Sequence, residues 1–287
     1  MATDVAPRPD SQSPPSLWRY AALLPDVAPV TLGEGWTPLV RSRRYPGLYI
    51  KREGANPTGG FESRTFSIAL SLSRHAGITQ LESRDPALAP YAAAAGLQAV
   101  IEVLENSQLM PWGPNRWVWS AGSFGARLSP VRLRVETEFA HAYRLGLKTM
   151  VWEMVEQLGW ELPHVVLSRL DMRAATGEAI ADLVSAGWIA PAPAPDVIVV
   201  DPHDQTTSQV ESTRLTLLEW AREEALLLSG PACAAVSRYL RMIEAGRLRP
   251  ETNVVAVDPF ASWKRMVSQL PDSYPRRSRV GGIITPV

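Results

Sequence analysis

Apolar positions recur along this chain in two rhythms. Short apolar runs bounded by Gly, Pro, Asn or Asp fall at 47–50, 79–83, 98–104, 163–168, 196–201 and 253–258, and these read as strands. Between them lie longer stretches of helical period. The segment 61–77 carries Phe66, Ile68, Ala69, Leu70 and Leu72 with polar residues between, and Gly77 stops it. Further helices are predicted over 85–96, 178–187, 215–227 and 231–245, with a short one opening at Ser16 and ending near Leu24-Pro25. Strand, helix and strand over 79–104, joined by short loops, imply a βαβ unit and a parallel pair. The alternation as a whole predicts an α/β fold.

Composition changes this picture little. With 287 residues the chain is long enough for one large or two modest domains. Its 29 basic and 29 acidic side chains cancel, so neither nucleic acid nor an anionic membrane is expected as a partner. Only Lys51, Lys148 and Lys264 are lysines, so arginine carries nearly all the positive charge. Together with abundant Ala and Pro, that suggests a bacterial genome of high GC content. The single cysteine, Cys233, excludes an internal disulfide and a cysteine-based zinc site. His75, His141, His164 and His203 form no metal-spaced pair. No apolar run reaches the ~18 residues of a membrane span. The first fifteen residues are rich in Pro, Ser and Asp and read as a disordered tail, which makes a cytoplasmic location the default.

Candidate chemistry gathers at 51–64, Lys-Arg-Glu-Gly-Ala-Asn-Pro-Thr-Gly-Gly-Phe-Glu-Ser-Arg. A strand leads in, Asn56-Pro57-Thr58-Gly59-Gly60 turns, and a helix leads out. A glycine-bearing turn at a helix N-terminus is a natural seat for an anion or cofactor.

This stretch resembles the cofactor-lysine segment of threonine synthase and its relatives, the fold type II pyridoxal-phosphate enzymes. Other segments resemble the same family in the same order: Leu17-Trp18-Arg19-Tyr20, Leu32-Gly33-Glu34-Gly35-Trp36-Thr37-Pro38-Leu39, the Tyr91-Ala92-Ala93 helix with Gly96-Leu97, Tyr143-Arg144-Leu145-Gly146-Leu147-Lys148-Thr149-Met150, and Gln157-Leu158-Gly159-Trp160. The resemblance runs from about Ser16 to Asp258. It implies a two-domain parallel-sheet fold of the tryptophan-synthase-β type. The large domain is expected over 16–80 and 135–266, a reduced small domain over 81–134, and irregular tails over 1–15 and 267–287.

The departures fall on the family's cofactor and substrate contacts. Glu62 stands where the family has its Schiff-base lysine. The asparagine loop of the family reads Ser83-Arg84-Asp85-Pro86 here, and Pro86 removes a backbone donor. The family's phosphate-binding glycines are replaced by Arg169-Leu170-Asp171-Met172-Arg173, with Gly177 the survivor. At ~4 Å and an effective dielectric near 20, Asp171 beside a phosphate charge costs about 4 kcal/mol per like-charge pair. The last strand runs into Asp258-Pro259-Phe260-Ala261-Ser262 in place of a glycine-rich turn.

Ligand-pocket candidates are therefore Asn56, Thr58, Glu62, Arg64, Ser83, Arg84, Asp85, Asp171, Thr176 and Ser262. Glu62 has three readings. It is a helix-start carboxylate balanced by the helix dipole and by Arg64 or a nearby arginine, a ligand contact in a remodelled pocket, or a general base working without cofactor. Of the lysines, Lys264 lies nearest the ring end of the expected pocket. The expectation is a catalytically silent threonine-synthase-like protein, with no pyridoxal phosphate bound and no metal. It would act as a binding or partner subunit, a homo-oligomer or a heteromer with an active paralogue, and a small amino-acid-like ligand is a possible occupant. The alternatives are a cofactor-independent enzyme using Glu62, or a lyase with a relocated lysine.

Overall fold

The computed structural model describes residues 7–101, 117–120, 133–135, 139–200 and 218–261. Its strands form two sheets. In the first, the order is β1 (Leu39–Arg41), β2 (Leu48–Arg52), β9 (Val254–Asp258), β7 (Val165–Ser168) and β8 (Asp196–Val199). Only the β1–β2 hairpin is antiparallel; the other three pairings are parallel. The second sheet has the order β5 (Trp117–Ser120), β4 (Gln98–Ile101), β3 (Gln80–Ser83) and β6 (Leu133–Arg134). Here β3 pairs in parallel with β4 and β6, and β5 is antiparallel to β4. The βαβ unit expected over 79–104 is the β3–β4 pair with helix α2 (Leu88–Ala95) between.

Strand alternation divides the first sheet's burial between two faces. Leu48, Ile50, Val165, Leu167, Val254 and Ala256 pack on helix α5 (Gly230–Glu244) through Ala232, Cys233, Val236 and Tyr239. Val166, Val255 and Val257 face the other way, into a core that also takes Leu81, Ala99 and Ile101 of the second sheet. Helices α1 (Glu62–His75), α3 (Ala140–Gln157) and α4 (Arg173–Ser185) contribute to that same core.

Helix α1 is buried nearly all round, and small residues let it be so. Ser67 and Ser71 lie inside, exchanging hydrogen bonds with Val30 and with the Trp18 indole. Opposite them in the α1–α3 crossing is Gly146, where an added Cβ would lie 3.4 Å from Arg64 and Phe61.

Several boundaries differ from the sequence reading. Helix α2 begins at Leu88 and not at 85, because Asp85 caps a turn with its own side chain. Helix α4 begins at Arg173, five residues before 178, through a first turn of Arg-Ala-Ala-Thr that lacks apolar periodicity. Within 215–227, the described residues hold a π-turn over Trp220–Glu224, closed by Ala225 in a left-handed conformation (φ 55°). Residues 7–15, expected as a disordered tail, are pinned. Arg19 donates to the carbonyls of Asp10 (3.1 Å) and Pro14 (3.1 Å), and Arg8 lies over Trp160. Among the described residues no helix is long and apolar enough to cross a membrane.

Candidate functional site

In open parallel sheets, ligands sit beyond the carboxyl ends of the strands. Here those ends are the exits of β2, β7, β9 and β3. The β2 exit runs through a short helical turn, Glu53–Ala55, into the Asn56–Gly60 turn and the first turn of α1. The β9 exit zips onto it: Ala261 N donates to Gly59 O (2.8 Å), Phe61 N donates to Pro259 O (3.0 Å), and Gly60 bridges Phe260. Gly54 has no room for a side chain, since a Cβ would lie 2.6 Å from Ala261 N. Ser262 and Lys264 lie outside the described residues.

Glu62 occupies the first helical position of α1 and is half-buried. Burial raises the Tyr143 phenol above its ordinary pKa, and the charges of Glu62 and then Asp171 raise it further, so the three groups share one neighbourhood. Tyr143 also meets Phe61 edge-on, ring centres 5.5 Å apart. Beyond β7, Asp171 Oδ1 accepts from Arg173 N at 3.3 Å, and Arg173 Nη1 returns to Asp171 Oδ2 at 3.3 Å. The chain's own carboxylate thus takes a backbone N–H at the start of α4. Asp171 is 65% exposed, however, so solvent screens most of the charge penalty the sequence suggested. At the start of α2 the arrangement repeats: Asp85 Oδ1 accepts from Ala87 N (2.8 Å), and Asp85 N donates to Ser83 Oγ (2.9 Å). Arg84 is exposed beside them. Thr176 is buried in α4, one turn in.

Arg64 and Asn56, read as pocket candidates, are placed in a buried ionic frame. Arg64 makes a two-pronged bond to Glu53 (Nε–Oε2 2.7 Å, Nη2–Oε1 2.8 Å) and an ion pair with Glu153 (2.9 Å). Lys51 pairs with the same Glu153 and donates to Thr37 O (2.8 Å) and Gln157 Oε1 (2.8 Å). Asn56 donates to Glu53 Oε2 (2.8 Å) and accepts from Gly35 N (2.9 Å), and Thr37 Oγ1 donates to Glu53 (2.7 Å). All four charged side chains are fully buried, and two positive charges meet two negative. Burial alone would raise the Glu153 carboxyl, yet Arg64 and Lys51 hold it down to about 2.

Of the two described lysines, Lys51 is committed to this frame and Lys148 is paired with Asp182 at 2.6 Å across the α3–α4 contact. Thr58 stays half-exposed at the turn, its hydroxyl 2.6 Å from Ser63 Oγ. Sequence reasoning passed over Tyr143, Ser63, Tyr91 and Glu34. The last of these had a signal: an acid between two glycines, with no cation close in sequence.

On the α5 side of β9, Asp258 is buried and accepts from Ser229 N at 3.3 Å. Burial pushes its carboxyl up to about 6. A groove of about 570 Å³ opens elsewhere, at the C-terminal end of α3, between Trp36, Trp160 and the 10–19 segment. Among the described residues no group of His, Cys, Asp and Glu is placed to hold a metal.

No family model matches the chain. It is similar to the threonine synthase of Methanosarcina acetivorans, 31% identical over 178 residues that cover 53% of this chain and 44% of that one. Threonine synthase of Methanocaldococcus jannaschii is 28% identical over 179 residues, with the same coverage of 53% and 44%. For that of Synechocystis sp. the identity is 31% over 191 residues, covering 55% and 49%. The chain spans about half the length of the curated relatives it matches. Among solved structures, a fungal L-serine ammonia-lyase from Rhizomucor miehei superposes with a TM-score of 0.54 at 17% identity, covering 79% of this chain and 93% of that one. O-ureido-L-serine synthase gives 0.53 at 18%, covering 84% and 94%. A homologue of ACC deaminase gives 0.51 at 12%, covering 86% and 94%. These likenesses establish the fold.

Proposed function

Because the chain is threonine-synthase-like and has the fold type II framework of pyridoxal-phosphate enzymes, we propose that it has kept the framework and given up the cofactor, and acts as a binding or partner subunit. The observation that carries this reading is the first turn of α1, where Glu62 stands in place of an amine. A Schiff base needs a lysine that reaches the cofactor aldehyde. Lys51 and Lys148 are held in ion pairs with Glu153 and Asp182. A phosphate group needs open backbone N–H donors at a helix start, and Asp171 takes one of those at α4. The described residues do not fit pyridoxal phosphate. Absorption of the purified chain with and without added pyridoxal phosphate, followed by borohydride reduction and peptide mapping, tests this. A visible band and a reduced adduct on Lys264 would establish instead a lyase with a relocated lysine.

The retained property would then be association, either with itself or with an active paralogue. Light scattering of the chain alone and mixed with such a paralogue measures it. A second reading is favoured by the placing of Glu62 near Tyr143: a cofactor-independent acid–base enzyme on a small amino-acid-like substrate. Under it, Glu62→Gln abolishes product formation with the fold intact. Under the partner reading the same change leaves association unaltered.

A further inference from the structure

The groove between Trp36, Trp160 and the 10–19 segment, about 570 Å³, is in the size range of a small-molecule site. Both tryptophans hold a left-handed backbone, Trp36 at φ 49° and Trp160 at φ 69°, and they are two of the three non-glycine residues to do so among those described. A bulky side chain is disfavoured in that region, and such strain gathers where a ligand is clamped. Each follows a glycine that is itself left-handed, Gly35 (φ 88°) and Gly159 (φ 74°). Edge-on contact with Trp188, ring centres 5.7 Å apart, supports the Trp160 ring.

The charges in the lining do not balance. Arg19 stacks on Trp36, 3.9 Å from the ring centre, and forks onto Glu156 (Nε–Oε2 3.0 Å, Nη2–Oε1 2.6 Å), so those two charges cancel. Asp10 is left as an uncancelled carboxylate. Its Oδ1 accepts from Gln12 N (2.9 Å), Ser13 N (3.0 Å) and Ser13 Oγ (3.1 Å), while no donor reaches Oδ2 among the described residues. The Gln12 N–H and then the Ser13 hydroxyl hold the Asp10 carboxyl below its ordinary range, which keeps it ionised. The face of Trp160 carries a guanidinium already, that of the exposed Arg8, 5.0 Å from the ring centre.

We infer that this groove is a binding site for a small organic cation, a ligand bearing a guanidinium or alkylammonium group, and that Arg8 is its built-in competitor. An indole face attracts a cation through the ring quadrupole, and Asp10 supplies the counter-charge. A neutral ligand of the same shape gains from neither, and an anion is repelled by Asp10. The Arg19–Glu156 pair, with side chains only 4% and 10% exposed, fixes the wall against which Trp36 stands. Arg8 lies on the open side of the site, so a ligand of like charge displaces it. None of the residues on which the cofactor reading rests lines this groove, so either reading can fail while the other stands.

A mere anchor for residues 7–15 would use the same groups, and ligand titration separates the two. The intact chain, labelled with fluorotryptophan, reports each indole by fluorine NMR, and Trp36→Phe and Trp160→Phe identify the two signals. The probe n-butylguanidinium is expected to shift both signals saturably, and to bind about tenfold more tightly than its neutral counterpart n-butylurea. Asp10→Asn keeps an acceptor for Gln12 N and Ser13 N and removes the charge, and is expected to weaken binding about threefold. Arg8→Ala clears the face of Trp160 and is expected to tighten binding by about two- to fivefold. Both side chains are exposed, so the fold survives either change. Signals that do not shift saturably, equal affinity for n-butylurea, or an affinity unchanged in either variant overturns the site and leaves only the anchor.

Discussion

Glu153 shows how a single side chain is specified by its burial. It accepts from Lys51 and the Thr37 backbone and forms an ion pair with Arg64, in a site without water-exposed surface. Taking away one member of such a set leaves a buried charge uncompensated, which costs about 3–5 kcal/mol. Glu153→Gln is therefore expected to lower unfolding free energy by that amount, read by urea melts at neutral pH. Because Glu153 is held at about 2 against an ordinary 4.5, its contribution is complete above 4.5 and drains away as pH falls toward 2. Asp258 has the opposite sign. Burial lifts it from 3.8 to about 6, so its charged form weakens the fold above pH 6, and stability grows as pH falls from 7 toward 4. Asp258→Asn keeps the acceptor for Ser229 N and removes the charge. It is expected to stabilise the fold at pH 7 by at most about 3 kcal/mol, and to flatten the pH dependence between 4 and 7. Melts of both proteins across that range measure it.

At the scale of elements, the cleft side is set by chain exits that lock onto one another. The β2 exit and the β9 exit pair at Gly60 and Phe260, and Gly54 lies against the backbone of Ala261. Gly54→Ala has no flexible side chain to push aside. It is expected to cost about 1–3 kcal/mol and to shift the amide resonances of 259–261. Strands and helices were legible in the sequence where an apolar run is bounded by turn residues, as in β9, or where apolar residues recur at helical spacing, as in α1. Helix starts were less so, since Asp85 and Asp171 decide them through side-chain bonds to backbone N–H groups two residues on. The ionic frame was not legible at all. Lys51, Glu53, Arg64 and Glu153 lie up to 102 residues apart, and only the fold brings them together. Two residues read as ligand contacts, Asn56 and Arg64, proved to be part of that frame. Thr58 and Glu62, next to them in sequence, are not part of it.

Across the whole molecule, the same segments that resemble threonine synthase build the framework. The Leu-Gly-Glu-Gly-x-Thr segment supplies Glu34, Gly35 and Thr37; the Gln-Leu-Gly-Trp segment supplies Gln157. Both sheets share one core, and the fold is retained at 12–18% identity to its solved neighbours. The departures lie instead at helix starts on the cleft side, where Glu62, Asp85 and Asp171 place carboxylates. We propose that this framework no longer carries pyridoxal phosphate, and borohydride reduction of the chain incubated with that cofactor, read by intact mass, tests it. The expected result is no visible band and an unmodified mass. A stoichiometric reduced adduct on one lysine, with a visible band before reduction, would contradict it.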